Sequence, residues 1–301
     1  MVLSGRTRRL GVASRALAFS VVAVFLFTTG GISRASAQPA PPTQPNPQTT
    51  TSNRAQPEPV NFDDHDGWMQ IFDGKTLNGW DGSPDVWHVE DGAIVGESSA
   101  EHPSGTTNII WRGGEPANFR LRLEMKLEGA GANGGVQYRS RIVPLNTRPV
   151  PLNATPEVQQ RMEQARMLAE KHARWNMAGY QMDFDFANRY TGQLYEQSTP
   201  RGIVAWRGQI VSTEPGRKPT LLSTLGSSDD FKAFIKPGEW NQVEIVADGN
   251  TLMHIINGHV MSVLVDTDPQ FSAARGLIAL EIEGGGTLKI SHRNIWLKPL
   301  P

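Results

Sequence analysis

The feature that most constrains the fold is a strict alternation of apolar and polar residues, repeated in short runs along the chain. In residues 119–127 every second side chain is apolar, and charged residues occupy the positions between them. Successive side chains of a strand point to opposite faces of a sheet, so a period of two is typical of a half-buried strand. Asp-Gly and Asn-Gly pairs separate several such runs, and the pair at residues 91–92 predicts a hairpin. The pattern therefore predicts an all-β protein, built as an antiparallel sandwich.

One segment has helical rather than strand periodicity. Thr155 is a residue type that caps helices, and Pro156 suits the first helical position. Apolar residues then recur at spacings of three and four as far as His172. We expect one amphipathic helix, inserted within residues 155–175 between two strands. Two interpretations are open, an element packed on the edge of the sandwich or a wall of the binding site.

The first 61 residues differ in composition from the remainder. Residues 1–37 combine an arginine-rich start, an apolar run at 16–28 and an Ala-Ser-Ala sequence at 35–37, which together are typical of a secretory signal peptide. Residues 38–61 are rich in Pro, Gln and Thr and have too little apolar surface to fold, so they predict a disordered linker. We therefore expect a folded domain at residues 62–301 in an exported protein, periplasmic or extracellular.

Composition excludes several classes of function. The chain has no cysteine, which rules out disulfides and a thiolate nucleophile. Loss of residues 1–37 would remove five arginines and no acidic residue, changing the formal net charge from −1 to −6. Nucleic-acid binding needs clustered Lys and Arg, so we expect no nucleic-acid partner. We also expect no stable membrane insertion after signal cleavage. The oligomeric state is left open.

A row of polar side chains lies along the strand predicted at residues 180–186. Gln181, Asp183 and Asp185 alternate with apolar residues and so share one face. Two carboxylates this close raise each other's proton affinity or share a cation. Either outcome suits a general base or a divalent-cation site. A strand surface that simply faces solvent would show the same pattern.

Other predicted strands carry groups that could complete such a site. Gln137, Arg139 and Glu281 each alternate with apolar neighbours. Arg139 could polarise an oxyanion or merely balance the carboxylates. His254 could be a base, although a lone histidine between apolar residues is more often part of a core or a sheet edge. Trp206 is one of eight tryptophans that either stack on sugar rings or pack in the core.

An ordered set of short motifs resembles the 3-keto-disaccharide hydrolase family. They lie at residues 72–80 (FDGKTLNGW), 87–92 (WHVEDG), 133–139 (NGGVQYR), 179–183 (GYQMD), 191–195 (TGQLY), 238–241 (GEWN), 254–258 (HIING) and 293–295 (RNI). No single motif is specific, but their order extends over about residues 68–298. The resemblance implies a concanavalin-like jelly roll that acts on glycosides oxidised at C3.

The resemblance also implies a site on the concave sheet. From the strand patterns and this resemblance together, the predicted catalytic residues are Asp185, Asp183 and His254. The predicted substrate-binding residues are Gln137, Arg139, Gln181, Tyr195, Trp206 and Glu281. The family pattern reads Gly-Tyr-Glu-x-Gln-x-x-Asp here, so in this chain Gln181 stands where an acid is usual and Asp183 where an amide is usual. Because the family keeps an acid near position 185, the resemblance favours Asp185 as the base.

The expected function is cleavage of glycosidic bonds of 3-keto-glycosides or 3-keto-disaccharides, by a hydrolase or a lyase. Proton abstraction at C2 followed by β-elimination and direct hydrolysis by paired carboxylates both fit the sequence. A divalent cation is possible as a cofactor. The alternatives are a non-catalytic carbohydrate-binding module tethered at the cell envelope and a structural domain of an envelope complex.

Overall fold

The computed structural model describes residues 60–145, 155–284 and 286–301. The signal peptide and nearly all of the linker predicted from the sequence lie outside these ranges. No helix among the described residues is both long enough and apolar enough to cross a membrane.

Within the described ranges the chain forms seventeen strands, one α-helix and two short 3-10 helices. The strands are β1 (Met69–Gln70), β2 (Trp80–Asp81), β3 (Trp87–Glu90), β4 (Ala93–Ser98), β5 (Thr107–Trp111), β6 (Phe119–Glu128), β7 (Asn133–Ile142), β8 (Met177–Asp185), β9 (Leu194–Gln197), β10 (Gly202–Ala205), β11 (Gln209–Thr213), β12 (Thr220–Thr224), β13 (Asn241–Asp248), β14 (Thr251–Ile256), β15 (His259–Asp266), β16 (Leu277–Glu283) and β17 (Leu288–Pro299). The helices are α1 (Pro156–Lys171) and the 3-10 turns Ala173–Trp175 and Asp230–Phe234.

The strands form two sheets. One has seven strands in the order β10-β9-β8-β7-β16-β5-β2. The other has ten, in the order β12-β11-β15-β14-β13-β6-β17-β4-β3, with β1 paired to β17. The pair β11–β15 is parallel, and the remaining pairs of the described residues are antiparallel. The expected all-β jelly-roll sandwich with one inserted helix is confirmed.

The main core lies between the two sheets and follows from the alternation in the sequence. Along β6, Phe119, Leu121 and Leu123 are fully buried, and the charged residues between them are on the other side of the strand. The register places Leu121 opposite Ile245 and so aligns the apolar faces of β6 and β13. Burial of each aliphatic or aromatic side chain of this kind stabilises the fold by about 1.5–3 kcal/mol relative to leaving it exposed.

The predicted hairpin at residues 91–92 is also present. β3 and β4 pair in antiparallel fashion across it. Asp91 and Gly92 have φ values of 49° and 76°. Positive φ at both central residues is typical of the type I′ turn, whose twist matches that of the flanking strands.

Helix α1 connects β7 to β8 and lies on the outer side of the seven-stranded sheet. Thr155 caps it as predicted, because its Oγ1 accepts a hydrogen bond from the backbone N–H of Val158 at 3.4 Å. None of the side chains from Pro156 to Lys171 is buried. The 3-10 turn after the helix anchors the segment, since Trp175 packs in a small second apolar cluster with Ile110, Met177 and Ala279.

Candidate active site

The candidate site lies on the outer face of the seven-stranded sheet, the face turned away from the ten-stranded sheet. Along β8, Tyr180 and Met182 belong to the core between the sheets. Because side chains alternate along a strand, Gln181 and Asp183 point the other way. The same alternation places on this outer face Gln137, Tyr195, Gln197, Glu281 and Glu283.

Gly135 has no side chain, and this allows the carboxyl groups of Asp183 and Glu281 to accept hydrogen bonds from one amide. The strand register places Glu281 of β16 beside Gly135 of β7, and Gly135 beside Asp183 of β8. A Cβ atom at Gly135 would lie 2.9 Å from Cγ of Gln181. The amide of Gln181 fills this space, and its Nε2 donates to Asp183 Oδ1 at 2.8 Å and to Glu281 Oε2 at 2.6 Å. Gly135 therefore makes room for the contact that joins Asp183 to Glu281.

Further amides hold Gln181 in this orientation. Its Oε1 accepts a hydrogen bond from Gln137 Nε2 at 2.6 Å, and Gln137 Oε1 accepts one from Ser140 Oγ at 2.8 Å. Gln197 Nε2 donates to the second oxygen of Glu281 at 3.0 Å. The buried polar groups thus form one connected network, which fixes their rotamers more firmly than isolated pairs would.

Asp183 has the proton affinity of a general base. Burial raises the pKa of Asp183 to about 7, and the charges of Glu283 and Asp185 add to the rise. Hydrogen bonds from Gln193 and Gln181 lower this pKa and offset part of the effect. The side chain nevertheless lines a pocket, with 8% of the residue exposed. A carboxyl group that titrates near neutral pH at a pocket wall can take up a proton from a bound molecule.

Two glutamates beside Asp183 hold their protons more tightly than usual. Glu281 is completely buried, and burial followed by the charges of Glu283 and Asp183 raises its pKa well above the ordinary range. Burial also raises the pKa of Glu283, whose Oε2 accepts a hydrogen bond from Asn133 Nδ2 at 2.9 Å. Glu283 lines the pocket, so its carboxyl group can donate a proton to a ligand there.

The pocket has a volume of about 450 Å³. Its walls are Asn133, Gln181, Asp183, Tyr190, Gln193, Tyr195, Gln197, Ser198, Ile203 and Glu283. Burial raises the pKa of Tyr195, and the neighbouring carboxylates add to the rise. Trp206 is 43% exposed beside the pocket, with its ring tilted against Tyr190 at a centroid distance of 6.3 Å. Such a mixture of polar groups and aromatic rings suits a carbohydrate ligand.

A model of the 3-keto-α-glucoside-1,2-lyase-like domain matches residues 67–298. The chain belongs to this family. The resemblance drawn from the ordered motifs is thereby confirmed. A stretch of 87 residues is 37% identical to a 3-keto-disaccharide hydrolase of Bacteroides thetaiotaomicron. That match covers 27% of this chain and only 30% of the curated relative.

Solved structures of similar architecture are more distant. A Parabacteroides distasonis protein, described as a candidate glycosyl hydrolase, is 18% identical, with a TM-score of 0.43 over 78% of this chain and 95% of its own. The Bacillus subtilis carbohydrate-binding module CBM66 is 9% identical, with a TM-score of 0.41 over 73% and 95% of the two chains. Membership of the 3-keto-α-glucoside-1,2-lyase-like family therefore rests on the sequence match.

Asp185 is the residue that the family pattern favours as the base. It lies beside the pocket but does not line it. Its Oδ1 accepts hydrogen bonds from the backbone N–H groups of Tyr190 at 2.6 Å and Thr191 at 3.1 Å. Its Oδ2 accepts one from the backbone N–H of Arg189 at 3.1 Å. The carboxylate thus holds the loop that carries Tyr190 and Gln193 into the pocket, whereas Asp183 faces the pocket itself.

Arg139 is not at the site, contrary to expectation. Its φ of 45° and a shift of register after Tyr138 mark a bulge in β7, which breaks the alternation that the sequence suggested. Its guanidinium donates to the backbone carbonyls of Ala117, Gly249 and Ala273 at 2.8, 2.7 and 3.2 Å. Arg139 therefore ties together loops at one end of the sandwich and has no contact with the pocket.

His254 is also elsewhere, between the two sheets. It is completely buried, and burial lowers its pKa to about 3, so it is neutral. Its Nε2 is 2.8 Å from the hydroxyl of Tyr138, and its Nδ1 is 3.2 Å from the backbone carbonyl of Gln193. A substrate cannot reach this ring. His254 supports the loop that carries Gln193, and it is excluded as a base by its position.

Sequence reasoning overlooked several residues of the pocket. Gln193 donates through Nε2 to Asp183 Oδ2 at 2.5 Å and occupies the variable position of the motif at 191–195. Glu283 alternates with apolar residues in the sequence as Glu281 does, but it was not predicted as a site residue. Gly135 and Tyr190 have no such signal, because a strand glycine and a loop tyrosine reveal their neighbours only in the folded chain.

The predicted site residues therefore fall into two groups. Gln137, Gln181, Asp183, Tyr195 and Glu281 come together, and Trp206 borders them. Asp185, Arg139 and His254 lie outside the pocket. Among residues 60–145, 155–284 and 286–301, no group of three His, Asp or Glu side chains is arranged to hold a metal ion.

Proposed function

We propose that the chain is an exported enzyme that cleaves the glycosidic bonds of 3-keto-glycosides or 3-keto-disaccharides. The observation that supports this most is the carboxyl group of Asp183, which lines a ligand-sized pocket and has a pKa raised to about 7 by burial. The names of the family and of its relative from B. thetaiotaomicron both concern 3-keto sugars.

The first proposed step is proton abstraction by Asp183. A keto group at C3 acidifies the proton on C2 of the same sugar. Asp183 takes this proton, and the electron pair of the C2–H bond forms an enolate whose charge lies on the C3 oxygen. The hydroxyl of Tyr195, which lines the same pocket, is the proposed hydrogen-bond donor to that oxygen.

The second proposed step is departure of the glycosidic oxygen. The enolate electron pair forms a C1=C2 double bond, the bond from C1 to the glycosidic oxygen breaks, and Glu283 supplies the proton that the leaving oxygen needs. This step completes a lyase reaction. Addition of water to C1, with return of a proton to C2, would give the hydrolysis product. Direct hydrolysis by the Asp183 and Glu283 pair is the competing route.

The test is incubation of the protein with 3-keto-glucosides and 3-keto-disaccharides that carry deuterium at C2, followed by mass spectrometry. We expect release of the leaving group with loss of C2 deuterium to solvent. Release with complete retention of C2 deuterium would instead assign direct hydrolysis. If no 3-keto substrate is cleaved, the proposed enzyme function is wrong.

A carbohydrate-binding module is the second candidate. The exposed ring of Trp206 beside Tyr190 favours it, because two aromatic side chains at a pocket edge can hold a sugar ring without any chemistry. Titration calorimetry with unmodified and 3-keto sugars, run beside the turnover assay, separates the two. Binding of sugars that remain intact would identify a module.

We further propose that the protein is exported and that the mature chain begins at Gln38. The arginine-rich start, the apolar run and the Ala-Ser-Ala sequence at 35–37 support this. N-terminal sequencing of protein recovered outside the cytoplasm should begin at Gln38. An intact Met1 in that fraction would contradict the proposal.

A further inference from the structure

A second and larger opening adjoins the pocket. It is a groove of about 960 Å³ between helix α1 on one side and residues 100–106 on the other. Gln197 and Glu283 line both the groove and the pocket, so the two spaces meet at these side chains. A ligand held in the pocket would extend into the groove past Glu283.

The groove differs in chemistry from the pocket. Among the side chains that line the pocket, Ile203 is the one aliphatic residue. On the groove side, α1 contributes Ala165, Met167, Leu168 and Ala169, together with the polar side chains of Arg161 and Gln164. Met167 is 60% exposed, and a flexible thioether side chain at an open surface adapts to apolar ligands of different shapes.

A few contacts attach α1 to the body of the protein beside the groove. Gly105, with a φ of 62°, lies against Leu168, and a Cβ atom at Gly105 would be 3.3 Å from that side chain. At the end of the helix, Lys171 Nζ forms an ion pair with Asp85 at 2.7 Å, and Trp175 packs on the sheet. The helix thus contacts the body of the protein along one edge while its own apolar side chains stay unburied.

We propose that this groove binds the leaving-group half of the glycoside, and that its preferred occupant is an apolar alkyl or aryl aglycone rather than a second sugar. The proposal rests on the proposed function, which places the 3-keto sugar in the pocket. Glu283 at the junction then lies where the glycosidic oxygen departs. A second sugar would need many hydrogen-bond partners, whereas four of the six side chains with which α1 lines the groove are apolar.

Binding can be measured without turnover. Titration calorimetry would compare both anomers of methyl and hexyl glucoside, which are unoxidised probes. We expect hexyl glucoside to bind at least about tenfold more tightly than methyl glucoside, because the added methylenes leave water. Met167→Gln and Ala165→Trp, which make the groove polar or fill it, should remove most of this gain. Met69→Gln replaces an exposed methionine outside the groove and should retain it.

Turnover assays then separate the groove assignment from the proposed enzyme function. If hexyl glucoside binds more tightly but no 3-keto-glycoside is cleaved, the proposed function fails, and the groove is an apolar aglycone site of a binding protein rather than a leaving-group site. If 3-keto-glucosides are cleaved, kcat/KM should be highest for the hexyl compound in the wild type and in Met69→Gln. Equal affinity for methyl and hexyl glucoside, or a higher kcat/KM for a 3-keto-disaccharide, would overturn the groove assignment.

Discussion

Gln181 joins two carboxylates on different strands because its neighbour in the sheet, Gly135, has no side chain. The amide lies over Gly135 and donates to both Asp183 and Glu281. Burial raises the pKa of both acids and the charges of neighbouring carboxylates add to the rise, whereas the hydrogen bond from Gln181 lowers each pKa. Gln181, a position that differs from the family pattern, thus orients both carboxyl groups and partly offsets the effect of their burial.

Gly135→Ala should test this arrangement. The added methyl group would lie 2.4 Å from the backbone carbonyl of Met182 and 2.9 Å from Cγ of Gln181, so strand and side chain must both shift. We expect a loss of about 1–3 kcal/mol in the free energy of unfolding and, in the folded fraction, at least about tenfold lower kcat. Gly131→Ala is the matched control, because nothing lies within 4 Å of its Cβ position. Equal activity of the two variants would show that the amide bridge does not matter.

His254→Phe should separate structural support from chemistry. The substitution leaves the buried hydroxyl of Tyr138 without its partner, so we expect a loss of about 1–3 kcal/mol in stability. Turnover per folded molecule should change little, because the ring lies between the sheets. Urea unfolding and kcat measured on the same preparation check both expectations. Loss of kcat by two orders of magnitude with unchanged stability would instead make His254 a catalytic residue.

Alternation alone predicted that Gln181 and Asp183 share a face, and the structure confirms that geometry. It could not choose between Asp183 and Asp185, because the difference comes from a loop that turns back onto Asp185. It also misplaced Arg139, since a one-residue bulge redirects every later side chain of β7. Local periodicity determines the face of a strand, while burial and loop contacts depend on residues far apart in the sequence.

The sheet and the connections between its strands contribute different residues to the pocket. The sheet supplies the buried network, and the loop between β8 and β9 brings in Tyr190 and Gln193. Helix α1 was predictable because its cap and its periodicity are local. Its relation to the pocket was left open by the sequence, and the structure places it beside the groove that adjoins the pocket.

Asp185→Ala should loosen the loop between β8 and β9 without removing the proposed base. The backbone N–H groups of Arg189, Tyr190 and Thr191 would lose their shared acceptor. We expect KM for a 3-keto-glycoside to rise about tenfold while kcat falls less, because the pocket wall and not the reacting carboxyl is disturbed. Steady-state kinetics measure this directly. A fall in kcat as large as that of Asp183→Asn would contradict the division of roles.

The whole chain has no cysteine, but it is long enough to stabilise the sandwich through a hydrophobic core without disulfides. A fold stabilised in this way can accommodate a cluster of buried acidic residues at one site. That cluster makes stability depend on pH. Asp183 and Glu281 have raised pKa values in the folded state, so between about pH 4 and pH 7 these two carboxyl groups hold more protons in the folded chain than in the unfolded chain. Their contribution to stability is therefore present at low pH and is lost as the pH rises through about 7.

His254 opposes this trend, because its pKa is lowered from 6.5 to about 3 and its contribution to stability grows as the pH rises through about 6.5. The contribution of the carboxyl groups is therefore measured as a difference between two variants. Glu281→Gln keeps the size of the side chain and removes one of the two acids, so its free energy of unfolding relative to the wild type should increase by about 1–3 kcal/mol between pH 5.5 and pH 8. Urea unfolding of both proteins at several pH values provides the measurement. A difference that stays constant or shrinks over this range would contradict the raised pKa of Glu281.

We propose Asp183 as the base of a 3-keto-glycoside-cleaving enzyme. The most direct test is kcat/KM for a 3-keto-glucoside from pH 5 to pH 9 in the wild type, Asp183→Asn and Asp185→Asn. We expect the wild type to lose activity below about pH 7, where Asp183 is protonated. Above pH 7, Asp183→Asn should be at least about 100-fold slower than the wild type, while Asp185→Asn should keep most of the activity and the same pH profile. Normal turnover by Asp183→Asn, or loss of the reaction in Asp185→Asn alone, would contradict the claim.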